Sequence, residues 1–377
     1  MNIDIIGAGI GGLTTAIALE QKGIKTRIFE QAERIKPVGA GIILANNAMQ
    51  VYEKLGLRKI IEENGNPICS MNITKSNLKP LSKIDLSYFE QKHNVKNIAI
   101  HRGALQQILI DKLKSTQINL NHKLTSITKN SNGYYLKFEN DAQVQSSAVL
   151  GADGLNSIVR KNIFPNNSIR NANQICWRGI TEYDLPIKYK NELNEAWGKS
   201  DRFGFVQIAE NRVYWYALKS FKKNKNEFSI NDLELYFNGY NSIVKNIIKS
   251  TKKEQINAAE ISDLKPTNTW FKENVCLIGD AAHATTPNMG QGACQAIEDA
   301  FVLSECLDKY EIIKAFTEYQ KLRLPKAHQV VKASWLVGKM AHLKNPILIG
   351  LRNQMLRLTP SSANRKQNEQ IFQLAEI

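Results

Sequence analysis

The feature that most limits what this chain can fold into is its opening. An apolar run, Ile3-Asp4-Ile5-Ile6, leads directly into Gly7-Ala8-Gly9-Ile10-Gly11-Gly12. A strand that turns at once into a helix needs glycine at these spacings. Gly7 permits the tight turn, Gly9 leaves bare backbone for the approach of a pyrophosphate, and Gly12 lets helix and strand pack closely. Leu13, Ile17 and Leu19 continue a helical pattern to Gly23, and residues 25–30 read as a second strand ending at Glu30. This βαβ start predicts a parallel sheet with helices on its faces. Glu30 stands close to the offset at which a carboxylate accepts from the ribose hydroxyls of a dinucleotide. The free N–H groups and partial positive charge of the helix N-terminus suit the pyrophosphate. A glycine-rich turn in an unrelated α/β protein is the competing reading, and the strand, the helix and Glu30 together count against it.

Strand–glycine–helix chemistry recurs twice more. Residues 143–150 pair as a hairpin with 134–138 and end in Gly151-Ala152-Asp153-Gly154, and residues 274–278 run into Gly279-Asp280. Asp153 precedes a helix start whose N–H groups it can cap. Asp280 stands at the C-terminal end of a strand, where open α/β sheets bind ligands. Pro287, Gly290, Gln291 and Gly292 follow, and then a helix over 291–307. His101-Arg102-Gly103-Ala104-Leu105-Gln106 opens another helix, with Arg102 and Gln106 on one face. Gly41, in the glycine-broken stretch Gly39-Ala40-Gly41, is counted with the cofactor set; a helix over 46–55 follows it. Residues 67–100, with Pro67 and Pro80, read as antiparallel strands, and residues 172–220 are strand-rich and aromatic. The expected fold is therefore α/β: a Rossmann-like cofactor domain (1–70, 97–170, 271–320), an inserted antiparallel sheet for substrate (71–96, 171–270) and a helical C-terminal segment (321–377).

Taken together, these motifs resemble the class A flavoprotein monooxygenases, the aromatic-ring hydroxylases related to salicylate hydroxylase, urate hydroxylase, zeaxanthin epoxidase and the tetracycline-inactivating monooxygenases. The match is spread from residue 1 to about 340. The resemblance implies FAD as cofactor. It implies that Asp280 bonds the ribityl chain, that Arg102 reaches FAD oxygens, and that Asp153 supports the pyrophosphate region and NAD(P)H use. It also implies that Pro287 lies against the flavin ring near C4a, with the 287–292 loop and its helix facing the ring. The implied reaction consumes NAD(P)H, as a transient co-substrate, and O2. It hydroxylates a small aromatic, heteroaromatic or polycyclic substrate through a C4a-hydroperoxyflavin. His101 and His283 are read as structural. Two other readings remain open at this point: a flavin oxidoreductase on the same fold without oxygen insertion, and a non-catalytic FAD-binding protein.

On the substrate side, alternation places Phe203, Phe205 and Gln207 on one face of their strand. Tyr214 and Tyr216 share a face, as do Cys176 and Arg178. One such face should roof the flavin pocket, so Arg178, Phe205, Gln207, Tyr214 and Tyr216 are the pocket candidates. Aromatics suit a planar substrate, and Arg178 suits an acid or phenolate. Arg178 and Tyr216 join Pro287 as candidates beside the reacting atoms. Sheet core and an ordinary arginine are the competing reading.

The net charge of +15 fits an anionic substrate, nucleic acid or membrane surface. No basic stripe interleaved with aromatics supports nucleic acid, and the tight cluster Lys222-Lys223-Asn224-Lys225 reads as a solvated turn. Five scattered cysteines, none in a C-x-x-C pair, point away from disulfides and zinc and toward the cytoplasm. No secretory leader, integral membrane segment or metal site is expected, and the protein should be a monomer or homodimer. In the tail, Trp335, Leu336, Met340, Ile347, Leu348 and Leu351 are read as packing positions. A membrane-surface helix with Lys332, Lys339 and Lys344 is the less favoured alternative.

Overall fold

The computed structural model describes residues 2–35, 40–164 and 168–377; Gly39 lies outside them. The expected βαβ start is present as the strand Ile3–Ile6, the helix Ile10–Gln21 and the strand Thr26–Phe29. Gly7 adopts φ +109°, a conformation that disfavours any side chain, and a Cβ on Gly12 would stand 2.0 Å from the Gly7 carbonyl oxygen. The first helix can therefore lie on its strand only with glycine at residue 12. The sheet runs in the order Phe271–Lys272, Val275–Leu277, Ala148–Gly151, Ile3–Ile6, Thr26–Phe29, Gln117–Asn119. All neighbours are parallel except the first pair. Three strands distant in sequence, each followed by glycine chemistry, thus lie side by side.

The second large sheet has seven strands, in the order Asn257–Leu264, Ile169–Glu182, Arg212–Ser220, Asp201–Ala209, Glu192–Trp197, Ser70–Lys75, Pro80–Asp85. It is antiparallel except where Ser70–Lys75 pairs in parallel with Glu192–Trp197. One face carries Trp177, Phe203, Phe205 and Trp215 against Leu233 of the helix Leu233–Tyr236, Phe237 that caps it, and Val244 and Ile247 of the helix Ser242–Lys249. The other face contributes Ile180, Val206, Ile208 and Tyr214 to the core shared with the parallel sheet. A small sheet of Gly41–Leu44, Asn97–His101 and Gly65–Ile68 adjoins it. A Cβ on Gly41 would meet the Tyr214 ring at 2.3 Å, so this glycine lets the two sheets close on each other.

Three local readings are corrected. Residues 143–150 are not one hairpin strand. Gln143–Ser146 pairs with Gly133–Phe138, whereas Ala148–Gly151 enters the parallel sheet. The alternating pattern does not show this change of partner. Residues 67–100 include a helix, Ser87–His93, that buries Phe89 and ends at Asn94 in a left-handed turn; it is too short to show a period. Finally, the helical tail does not pack its apolar residues as read. Leu336, Ile347, Leu348 and Leu351 are exposed, while Arg352 is buried and donates to the Met340 and Ala341 carbonyls.

Candidate active site

A cleft of ≈ 610 Å³ opens where the strands of the parallel sheet end, at Ile6, Phe29, Ala152 and Ile278. It brings together Gly7, Gly9, Glu30, Arg102, Asp153, Asp280 and Gly292, residues drawn from four separated stretches of sequence. Ligands bind at this end of an open α/β sheet because strand ends and helix N-termini leave polar backbone unpaired there. Glu30 accepts from the N–H of Ala8 in the glycine loop at 2.7 Å and from Ala32 at 3.0 Å. Its carboxylate is thereby held beside the loop with lone pairs to spare. Asp280 begins a one-turn helix at the foot of the cleft. Desolvation raises its carboxyl pKa, against the pull of His283 and Arg102. Arg102 opens the helix Arg102–Lys112, whose cap is the His101 Nδ1 accepting from Gly103 and Ala104.

Asp153 caps the helix Ile158–Ile163 through its Oδ2, at 2.7 Å from the Ile158 nitrogen and 3.1 Å from that of Val159. Its Oδ1 is buried without a protein partner. Burial raises this carboxyl's pKa against those hydrogen bonds. An added Cβ at Gly9, Gly154 or Gly290 would meet nothing within 4 Å. A bare-backbone cradle, an orphaned buried oxygen and an acid beside the loop fit a bound dinucleotide of the FAD type.

Five other sequence candidates lie around this cleft without lining it. Gln106 donates from Nε2 to the Ala8 carbonyl at 2.9 Å and so braces the glycine loop. Gln291 turns inward, accepting from Asn47 and Gln295. Gly12 and Gly41 serve the close contacts described above. Gly290, at φ +63°, ends the turn Pro287–Met289 and leads to the 18-residue helix Gly292–Lys309. His122, Lys123 and Lys161 line the cleft and belong to no recognised motif, and Asn156 lines it from the segment that continues Asp153-Gly154.

The antiparallel sheet meets the Pro287 loop through side chains that sequence alone did not single out. Tyr216 donates to Glu195 at 2.5 Å, and Trp197 donates to the same carboxylate at 2.5 Å. Arg202 bridges Glu195, at 3.0 Å, and the Asn288 side-chain oxygen. Asn288 in turn donates to Thr286 and to the Ser334 carbonyl, at 2.9 and 2.7 Å. Pairing sets Arg178 opposite Tyr216 and Gly204 opposite Tyr216, on the face that also carries Tyr214. The Arg178 charge acts on the Tyr214 hydroxyl, opposing the burial that raises its pKa. Desolvation, with Glu195 beside it, pushes the Tyr216 hydroxyl well above its usual range.

Phe205 and Gln207 must be removed from this group. They pair with Trp215 and Val213 and so occupy the opposite face. Phe205 is edge-on to Tyr189 in the outer core, and Gln207 donates to Asn66.

Behind the cleft lies a buried charged network. Asp299 accepts from the Gly279 nitrogen at 2.9 Å, from His283 at 2.6 Å and from Arg323 at 2.8 Å. Arg323 also donates to Glu298 at 2.5 Å and to the Gln295 side chain at 2.7 Å. Lys326 reaches both Glu298 oxygens at 2.8 Å. Burial pushes the Lys326 ammonium down to about 8 despite Glu298. His283 is thus a structural partner of Asp299, as read, and the network ties the Gly279-Asp280 turn to the long helix Ile312–Ala341. Its only sequence signal was an acidic pair, Glu298-Asp299, inside an apolar helix.

Residues 1–334 match the family described as FAD binding domain. The chain belongs to this family. A curated relative, the aurachin C monooxygenase/isomerase of Stigmatella aurantiaca, is 32% identical over 96% of this chain and 95% of its own. The 2-heptyl-3-hydroxy-4(1H)-quinolone synthase of Pseudomonas aeruginosa is 29% identical over 99% of this chain and 98% of its own. Among solved structures, Klebsiella pneumoniae HpxO complexed with FAD and uric acid superposes with a TM-score of 0.88. It is 26% identical over 98% of this chain and 96% of that one. The protein is an FAD-dependent flavoprotein monooxygenase of class A, with the Rossmann-like fold that its motifs implied. Among its described residues, no helix is long and apolar enough to cross a membrane.

Proposed function

We propose that this monooxygenase consumes NAD(P)H and O2 to add one oxygen atom to a planar heteroaromatic substrate of the alkyl-4-quinolone type. The observation that carries the reading is the convergence of Arg178, Tyr214 and Tyr216 on the sheet face tied, through Glu195 and Arg202, to Asn288 beside Pro287. The quinolone class is supported by end-to-end likeness to the quinolone synthase. Bound FAD would supply the redox and oxygen-transfer chemistry. Glu30 and Arg102 would hold its ribose and phosphate, Asp153 the pyrophosphate region, and Asp280 its ribityl chain.

The N-terminus of the Gly292–Lys309 helix faces the cleft and would stabilise negative charge there. Arg178, whose charge acts on the Tyr214 hydroxyl, would orient a carbonyl or oxyanion of the substrate. The Tyr216–Glu195–Arg202–Asn288 chain would fix the sheet face against the Pro287 loop and limit water entry. The five cysteines are free thiols, which supports a reducing cytoplasm as the site of action.

The test is a panel of alkylquinolones, uric acid, simple phenols, heteroaromatic acids and tetracyclines, scored for stimulated NAD(P)H oxidation and for product mass. A quinolone should stimulate oxidation and gain one oxygen. If no member of the panel gains an oxygen, the oxygen-insertion reading fails; a stimulator that gains none while another member does is only an uncoupling effector. Turnover of urate with quinolones inert sinks the substrate class.

A further inference from the structure

The tail holds an apolar face outward by construction. The Asn345 side chain caps the nitrogens of Ile347 and Leu348, Pro346 takes the first turn, and the helix runs Pro346–Leu358. At about 100° per residue, Ile347, Leu348, Leu351, Met355 and Leu358 fall on one side. Their exposures are 74, 48, 59, 52 and 72%.

The side adjoining the stripe, roughly a quarter-turn round the helix, is fixed. Arg352, 3% exposed, donates to the Met340 and Ala341 carbonyls and lies over the Trp197 ring at 5.1 Å. Beyond this helix, Phe372 docks edge-on against Phe89 at 4.9 Å. Rolling the stripe inward would strip Arg352 of its acceptors and bury its charge unpaired. The exposure is therefore a held orientation, not a slack terminus.

Charge along the segment that carries the stripe is of one sign, although Asp85 of the neighbouring strand faces Arg365. From Tyr319 to Asn368 the sequence contains no Asp or Glu. Lys332, Lys339, Lys344, Arg357, Arg365 and Lys366 are all exposed. On the preceding helix, Leu336 is 64% exposed between Lys332 and Lys339, at i, i+4 and i+7.

We propose that this face docks the enzyme on a bilayer surface of anionic phospholipid, with Pro346–Leu358 lying in the plane of the interface. An apolar stripe flanked by Lys and Arg gains from both acyl-chain burial and the negative surface potential. A second copy of the chain is the less favourable occupant. A twofold pairing through this stripe sets each basic flank near its own image, with no acid on the segment to answer it. At 13 residues the helix spans roughly 20 Å, enough to lie on a bilayer and too short to cross it. The proposal stands whether or not the substrate is a quinolone.

The experiment is flotation of the FAD-loaded enzyme with vesicles of phosphatidylcholine alone or of phosphatidylcholine mixed with phosphatidylglycerol. The enzyme should float with the mixed vesicles at low salt and be released as salt rises. L351S/M355S should weaken binding at least about tenfold. K339E/K344E should weaken it about fivefold or more per charge. Both variants should keep full flavin absorbance, since the substituted side chains are outside the cleft. Failure of the wild type to float overturns the proposal, as does undiminished flotation of L351S/M355S. Light scattering that shows a dimer dissolved by L351S/M355S would assign the face to a second copy instead.

Discussion

The two walls of the active site are built from different materials. The cofactor cleft is made largely of backbone: the turn at Gly7, the open space at Gly9, the strand end at Asp280 and the helix start at Gly292. The proposed substrate wall is made of side chains held by other side chains, Tyr216 by Glu195 and Arg202 by Glu195 and Asn288, with the Tyr214 ring packed over bare Gly41. A backbone site announces itself locally, since only certain residues permit its conformation. A side-chain site depends on which strands pair and in which register. The first kind tolerates almost no change at a few positions, and the second can be retuned one contact at a time.

Four substitutions test this contrast, from the largest expected effect to the smallest. Gly12→Val should leave the protein almost free of flavin, because even its Cβ would stand 2.0 Å from the Gly7 carbonyl oxygen. The ratio of flavin to protein absorbance after purification reads this directly, and a normally loaded variant would break the idea that backbone contact makes this wall. Arg323→Met should cost about 3–5 kcal/mol in urea unfolding, because it takes from two buried carboxylates the cation they share, leaving Glu298 to Lys326 and Asp299 to His283 and the Gly279 nitrogen. A loss under about 1 kcal/mol would mean the network is not what braces the Gly279-Asp280 turn.

The third test pairs two residues on opposite faces of one sheet. Tyr216→Phe should weaken substrate-stimulated NAD(P)H oxidation by about 1–3 kcal/mol in kcat/KM, with FAD affinity unchanged. Phe205→Leu should lower stability by a similar amount and leave kcat/KM within a factor of about two. Exchanged phenotypes would show that the inward face has been assigned the wrong way round.

The smallest effect belongs to a carboxylate far from both walls. Burial disfavours the Glu20 carboxylate, but the Thr116 hydroxyl and the backbone N–H groups of Lys114, Ser115 and Thr116 outweigh that and hold its pKa at about 2. Because the folded pKa is depressed, the contribution is present above the unfolded value near 4.5 and is lost as pH falls toward 2. Allowing for solvent screening, Glu20→Gln should remove roughly 1 kcal/mol at neutral pH. It should also flatten the acid limb of the stability curve between those pH values, as urea titrations at stepped pH will register.

The sequence by itself determined the cofactor half. A glycine whose Cβ would strike a carbonyl, a carboxylate at the end of the second strand and an aspartate at a strand terminus are local requirements. Gly12, Glu30 and Asp280 therefore declare themselves without neighbours. The tertiary structure decided the rest. The inward face of the antiparallel sheet follows from register between strands far apart in sequence, so Phe205 and Gln207 could not be told from Tyr214 and Tyr216 by alternation alone. Glu195, Arg202 and Asn288 became a unit only when the sheet met the Pro287 loop. The tail gives the same lesson: its apolar spacing is that of a packed helix, yet Arg352 holds the flank beside the stripe inward and leaves Ile347, Leu351 and Leu358 in solvent. Periodicity fixes which residues share a face, and only packing energies between distant segments decide which way that face turns.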